Sequence, residues 1–106
     1  MQAVTDSSFP EDVSKSGKPV VLFFWNEGCE HSTQISPALD ELCKELDGVV
    51  EVKKIHFDQN SETAKKLSVS KTPAIVLHMN GENKATFTGE HKKQEIKDWI
   101  HARLSD

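Results

Sequence analysis

With 106 residues, 36% of them hydrophobic and 28% charged, the chain has the size and composition of one soluble globular domain rather than a disordered segment. Thirteen basic against seventeen acidic side chains give a net charge of −4, which opposes binding to nucleic acid or other acidic partners. The longest apolar run, Val20 to Trp25, falls far short of the roughly 20 residues that cross a bilayer, so no membrane partner is expected.

Met1 to Pro10 carries Asp6 and scattered Ser and Thr where a secretory leader needs a basic start and an apolar stretch, and a cytoplasmic chain is expected. Lys18-Pro19 then opens the run Val20-Val21-Leu22-Phe23-Phe24-Trp25. Its β-branched and aromatic residues suit a strand covered on both faces, in the middle of a sheet with helices on either side. Asn26-Glu27-Gly28 breaks the run with a loop.

From Cys29 onward, Ile35, Leu39, Leu42, Cys43 and Leu46 share one helical stripe, and the helix is expected to run to about Asp47-Gly48. Pro37 lies inside it and should kink it. Val49 to Phe57 reads as a strand and Ser61 to Leu67 as a short helix with Ser61 as its N-cap, an alternation that suits parallel βαβ units. Beyond Thr72-Pro73, the runs Ala74 to Met79 and Lys84 to Thr88 flank Asn80-Gly81, the strongest short signal for a tight antiparallel hairpin. A closing helix, about His91 to Leu104, puts Ile96, Trp99, Ile100 and Arg103 or Leu104 on one face. Nothing resembles a linker or repeat, and a single domain over 1–106 is expected.

The order βαβαβαββα, with an apolar strand running through a Trp towards a Cys-headed helix, resembles the thioredoxin family along nearly the whole chain. The likeness includes Val4-Thr5-Asp6-Ser7-Ser8-Phe9, Phe24-Trp25, Ile35 to Leu42, Phe57-Asp58-Gln59-Asn60, Thr72-Pro73, Asn80-Gly81-Glu82 and Gly89. It implies an α/β thioredoxin fold, a central mixed sheet of about five strands flanked by about four helices. It also implies thiol–disulfide exchange at Cys29, with Ser32 and His31 beside it, and a substrate surface of Trp25, Gly28, Glu30, Thr72, Pro73 and Gly89. Pro73 resembles the family's cis-proline, whose preceding backbone pairs with an extended substrate.

Departures concentrate where that family does its chemistry. Its members typically read Trp-Cys-Gly-Pro-Cys, whereas this chain reads Gly28-Cys29-Glu30-His31-Ser32, with a hydroxyl in place of the resolving thiol. The buried aspartate that serves that second thiol is matched by Phe23, and an acid without a task is costly to bury. Lys54 matches the lysine that faces the aspartate, and its ammonium is expected to reach the surface. Gly28 stands where the family places an exposed tryptophan, so substrate choice should differ.

A thiolate rather than a thiol attacks a disulfide. A place at a helix N-terminus, a protonated His31 and the Ser32 hydroxyl should each favour the charged sulfur, against an exposed and screened Glu30. The Cys29 pKa is therefore expected below the free value of about 8.5. With one thiol, the expected outcome is a mixed disulfide with a cysteine-containing protein, resolved by glutathione, another low-molecular-weight thiol, or a second substrate cysteine.

Cys43 is expected to pack rather than react, since 14 helical residues span about 21 Å and a disulfide needs Cα atoms within about 7 Å. The five histidines show no zinc-like spacing with either cysteine, and no metal or cofactor is expected. A monomer is the expected state. The rival reading is a binding module that keeps the Thr72-Pro73 groove and has abandoned turnover.

Overall fold

The computed structural model describes residues 1–105. Five strands, β1 (Gln2–Val4), β2 (Val20–Trp25), β3 (Glu51–His56), β4 (Ala74–Met79) and β5 (Glu82–Thr88), form one mixed sheet in the order β1-β3-β2-β4-β5. The pairs β1–β3 and β2–β3 are parallel, while β2–β4 and β4–β5 are antiparallel. Three helices, α1 (Glu30–Glu45), α2 (Ser61–Lys66) and α3 (Lys93–Leu104), accompany the sheet, and the expected further helix near the N-terminus is a π-helical turn over Pro10–Ser14.

Strand β2 takes the centre because its residues are apolar on both faces. Val20, Leu22 and Phe24 enter a cluster with Val4, Phe9, Ile55, Leu67 and Val76, whereas Val21 and Phe23 enter another with Ile35, Leu39, Leu42, Ile96 and Ile100. All five are at most 1% exposed. Side chains of this size each contribute about 1.5–3 kcal/mol on full burial. The sheet is thus fixed to α1 and α3 on one side and to α2 and the N-terminal segment on the other.

Several boundaries differ from the sequence reading. Strand β3 begins at Glu51 because Val49 and Val50 close the turn after α1, their N–H groups bonded to Leu46 O at 2.9 and 3.1 Å, and it ends at His56, one residue short of Phe57. Helix α1 stops at Glu45, with Leu46 as C-cap, and runs continuously through Pro37. Helix α3 starts two residues later than expected, because Glu95 turns back to accept the Lys92 N–H at 3.0 Å. The hairpin turn is as expected, with Asn80 (φ 53°) and Gly81 (φ 77°) giving the two positive φ angles of a type I′ turn, but β5 begins at Glu82 rather than Lys84 because Glu82 and Asn83 already pair with Met79 and His78.

The N-cap of α2 is Asn60, not Ser61, and neither residue's side chain caps the helix. The cap comes from far away in sequence. Asp6 accepts the Thr63 N–H at 2.9 Å and the Thr63 hydroxyl at 2.6 Å, while Asn60 accepts the Asp6 N–H at 2.9 Å and donates to His56 O at 2.9 Å. These bonds hold the end of β3 and the start of α2 against the N-terminal segment.

Candidate active site

Strand β2 ends at Trp25, and the chain turns at once into α1. The Cys29 N–H bonds to Asn26 O at 3.3 Å, and Gly28 has φ +75°, the positive angle that the third residue of a type II turn requires. A Cβ at Gly28 would meet nothing within 4 Å, so backbone conformation rather than space favours glycine there. The turn delivers Cys29 to the N-cap position of α1 with an extended backbone. Its thiol makes no capping hydrogen bond as a neutral group.

An ionised sulfur is a far better acceptor, and the surroundings are arranged for it. The Cys29 thiol is held below its ordinary value, first by the Ser32 hydroxyl and next by the Thr72 hydroxyl. Partial burial opposes them, and the backbone N–H groups of Ser32 and His31 add to the lowering. Ser32 is 2% exposed and its Oγ has no other hydrogen-bond partner among the described residues, which leaves its proton available to the sulfur. Ser32 extends the buried stripe of Ile35, Leu39 and Leu42 by one helical turn.

His31 sits otherwise than expected. Its Nδ1 pairs with a carboxylate oxygen of Glu90 at 2.8 Å, both side chains being about half exposed, and its backbone N–H is the part that favours the charged sulfur. Glu30 is exposed in the first turn. Neither Glu90 nor the Thr72 hydroxyl was found from the residues. Glu90 is remote in the chain, and the only signal was its place beside Gly89.

Thr72 and Pro73 border the nucleophile from the strand side, joined by a cis peptide bond. The Gly89 N–H bonds to Pro73 O at 3.0 Å, and Gly89 has φ +89°, so the end of β5 is tied to this turn. Trp25 is partly buried and meets the His56 ring edge-on, with centroids 4.5 Å apart. Trp25, Gly28 and Ser32 also line a partly open cavity of about 610 Å³ beside the nucleophile turn.

Phe23 forms part of that cavity, and Lys54 is its register partner on β3. Lys54 is half-buried and lines that partly open cavity. Cys43 lies on α1 near its other end, with Sγ 3.6 Å from Val52 O, and both cysteines are free. Among the described residues no group of three His, Cys, Asp or Glu could hold a metal ion, and no helix is long and apolar enough to cross a membrane.

This architecture is the thioredoxin fold, and Cys29 stands where a helix start and a neighbouring turn favour a charged sulfur. The family model for thioredoxin matches residues 1–102. Thioredoxin of Rickettsia bellii is 39% identical over 101 residues, covering 95% of this chain and 96% of that protein. Thioredoxin of Rhodospirillum rubrum is 37% identical over 104 residues, 98% of this chain and 100% of that protein. Thioredoxin of Pseudomonas aeruginosa is 34% identical over 101 residues, 95% and 94% of the two chains. The chain belongs to the thioredoxin family, and membership implies a thiol–disulfide redox function.

Proposed function

We propose that the protein is a monothiol thiol–disulfide exchange protein that captures substrates through Cys29 and needs an external thiol to release them. One observation carries this reading: Ser32, whose hydroxyl favours an ionised Cys29, occupies the place from which a second thiol would attack. Cys43, about 21 Å away along α1, is too distant to replace it.

The Cys29 thiolate attacks one sulfur of a substrate disulfide. A Cys29–substrate S–S bond forms, the substrate's S–S bond breaks, and the departing sulfur leaves as a thiolate that takes a proton from water. An external thiolate then attacks the Cys29 sulfur and expels the substrate as its second thiol. A second external thiol frees Cys29 and departs in a symmetrical disulfide. The substrate disulfide is reduced, and two external thiols are oxidised to one disulfide.

The substrates are cysteine-containing proteins, laid as extended chain along Thr72-Pro73 beside Gly28, Trp25 and Gly89, and met by a monomer. A cytoplasm, rich in glutathione or another low-molecular-weight thiol, suits this cycle. The test is trapping: native protein incubated with disulfide-bearing substrates accumulates mixed disulfides at Cys29 that glutathione resolves, and Cys29→Ser accumulates none. Failure to form adducts at Cys29 would leave a binding module built on the Thr72-Pro73 groove.

A further inference from the structure

The cavity beside Ser32 shares Trp25 and Gly28 with the proposed protein-substrate surface, whereas Thr72, Pro73 and Gly89 are not part of its lining. Its volume, about 610 Å³, lies within the range of small-molecule sites, about 300–1,000 Å³. Its lining mixes apolar surface from Phe23, Trp25 and Pro37 with charges of both signs, Lys54 against Glu27 and Asp40. The carboxylates have neighbours: Glu27 lies 3.9 Å from His56 Nε2, and Asp40 lies 3.7 Å from the ammonium of Met1. Lys54 has no hydrogen-bond or ion-pair partner among the described residues. One more residue of the lining, Asn26, carries a buried side-chain oxygen without a hydrogen-bond partner among the described residues, and the buried Ser32 hydroxyl has none besides the Cys29 sulfur.

We propose that this cavity is the docking site of the resolving thiol, and that it selects a low-molecular-weight thiol carrying both a carboxylate and an ammonium group. The inference rests on the monothiol reading. A carboxylate meets Lys54, an ammonium meets Glu27 or Asp40, and the thiol lies beside Ser32. That places its sulfur on the side from which a second cysteine at position 32 would have attacked. In the step itself, the docked thiolate bonds to the Cys29 sulfur of the mixed disulfide, the Cys29–substrate S–S bond breaks, and the electron pair leaves on the substrate sulfur. Phe23 gives the cavity an apolar surface where a carboxylate would repel such a thiolate.

The test uses full-length Cys43→Ala protein carrying a thionitrobenzoate mixed disulfide at Cys29, since release of the coloured thionitrobenzoate reports attack on the Cys29 sulfur. At matched thiolate concentration, glutathione is expected to saturate and mercaptoethanol to give a rate linear in concentration. Lys54→Gln should raise the half-saturating glutathione concentration about tenfold, the loss of one charge-assisted contact, and Lys54→Arg should restore most of it. S-methylglutathione, which cannot react, should slow glutathione in the unaltered cavity and leave mercaptoethanol unaffected, so the outcome does not depend on any Lys54 variant folding. Release linear in both thiols, insensitive to Lys54→Gln and to S-methylglutathione, overturns the cavity assignment alone. No release by any thiol overturns the monothiol reading and this inference with it.

Discussion

At Cys29 the decisive contacts are hydroxyls. The sulfur is favoured first by Ser32 and then by Thr72, with backbone N–H groups following, whereas the His31 ring is engaged by Glu90. A lowered pKa means that the thiolate dominates above the folded value and reactivity falls as pH drops through it. Iodoacetamide alkylation of Cys29 followed across pH should therefore show a midpoint below that of a free thiol, about 8.5. Ser32→Ala should raise the midpoint most, Thr72→Val less, and His31→Ala less than Ser32→Ala. A larger effect from His31→Ala than from Ser32→Ala would show that the imidazole, not the hydroxyl, sets the thiolate. The same position gives a second prediction. Ser32→Cys should raise dithiothreitol-driven insulin reduction by about tenfold or more yet remain below thioredoxins with two cysteines, because Phe23 supplies no base for the new thiol. Adding Phe23→Asp should raise the activity further and lower stability by about 1–3 kcal/mol or more through a buried carboxylate. Full activity from Ser32→Cys alone would show that Phe23 does not limit it.

Among the elements, α2 depends most on a remote residue. It has six residues and no side-chain cap of its own, and it is too short to hold by propensity. Asp6 closes its first turn through Thr63, and although partial burial pushes this carboxyl up, the hydrogen bonds from Thr63 and Glu62 outweigh it and hold its pKa low. Asp6→Ala should cost about 1–2 kcal/mol in urea unfolding, and Asp6→Asn less, since an amide oxygen still accepts. An unchanged midpoint for Asp6→Ala would assign the stability of α2 to packing of Ala64 and Leu67 alone. Contacts of this kind explain what the chain did and did not disclose by inspection. Strands β2 to β5 and α1 were legible because their runs and the stripe from Ile35 to Leu46 are local patterns, and Asn80-Gly81 has one favoured geometry, whereas β1, three residues long, carries no such run. The cap of α2 was not, because its partner is 57 residues away. Nor was the His31–Glu90 pair, which depends on how the end of β5 and the start of α1 come together.

For the molecule as a whole, His78 and Asp6 contribute to the acid side of the stability curve in separable windows. His78 is 3% exposed on the face of the sheet that carries Phe9, whose ring it meets edge-on with centroids 5.5 Å apart, and its Nδ1 has no partner among the described residues. Burial first, and then the Lys66 ammonium, pushes its pKa below the ordinary value. The folded imidazole thus releases its proton more readily than the unfolded one, so the unfolded chain binds more protons as pH falls. Stability from this group is complete above the unfolded value, about 6.5, and is lost as pH falls towards the folded value. Asp6 acts in a lower window: its contribution is complete above the unfolded carboxylate value, about 3.9, and is lost as pH falls through the folded one. Urea midpoints measured from pH 8 to pH 5 should therefore decline in the native protein and decline less in His78→Leu, while Asp6→Ala lowers the midpoint across that range without changing its slope. Because His78 lies on the sheet face opposite α1, the Cys29 alkylation profile of His78→Leu should match that of the native protein. An equally steep decline in His78→Leu would transfer the acid sensitivity to another group and leave the buried imidazole as packing alone.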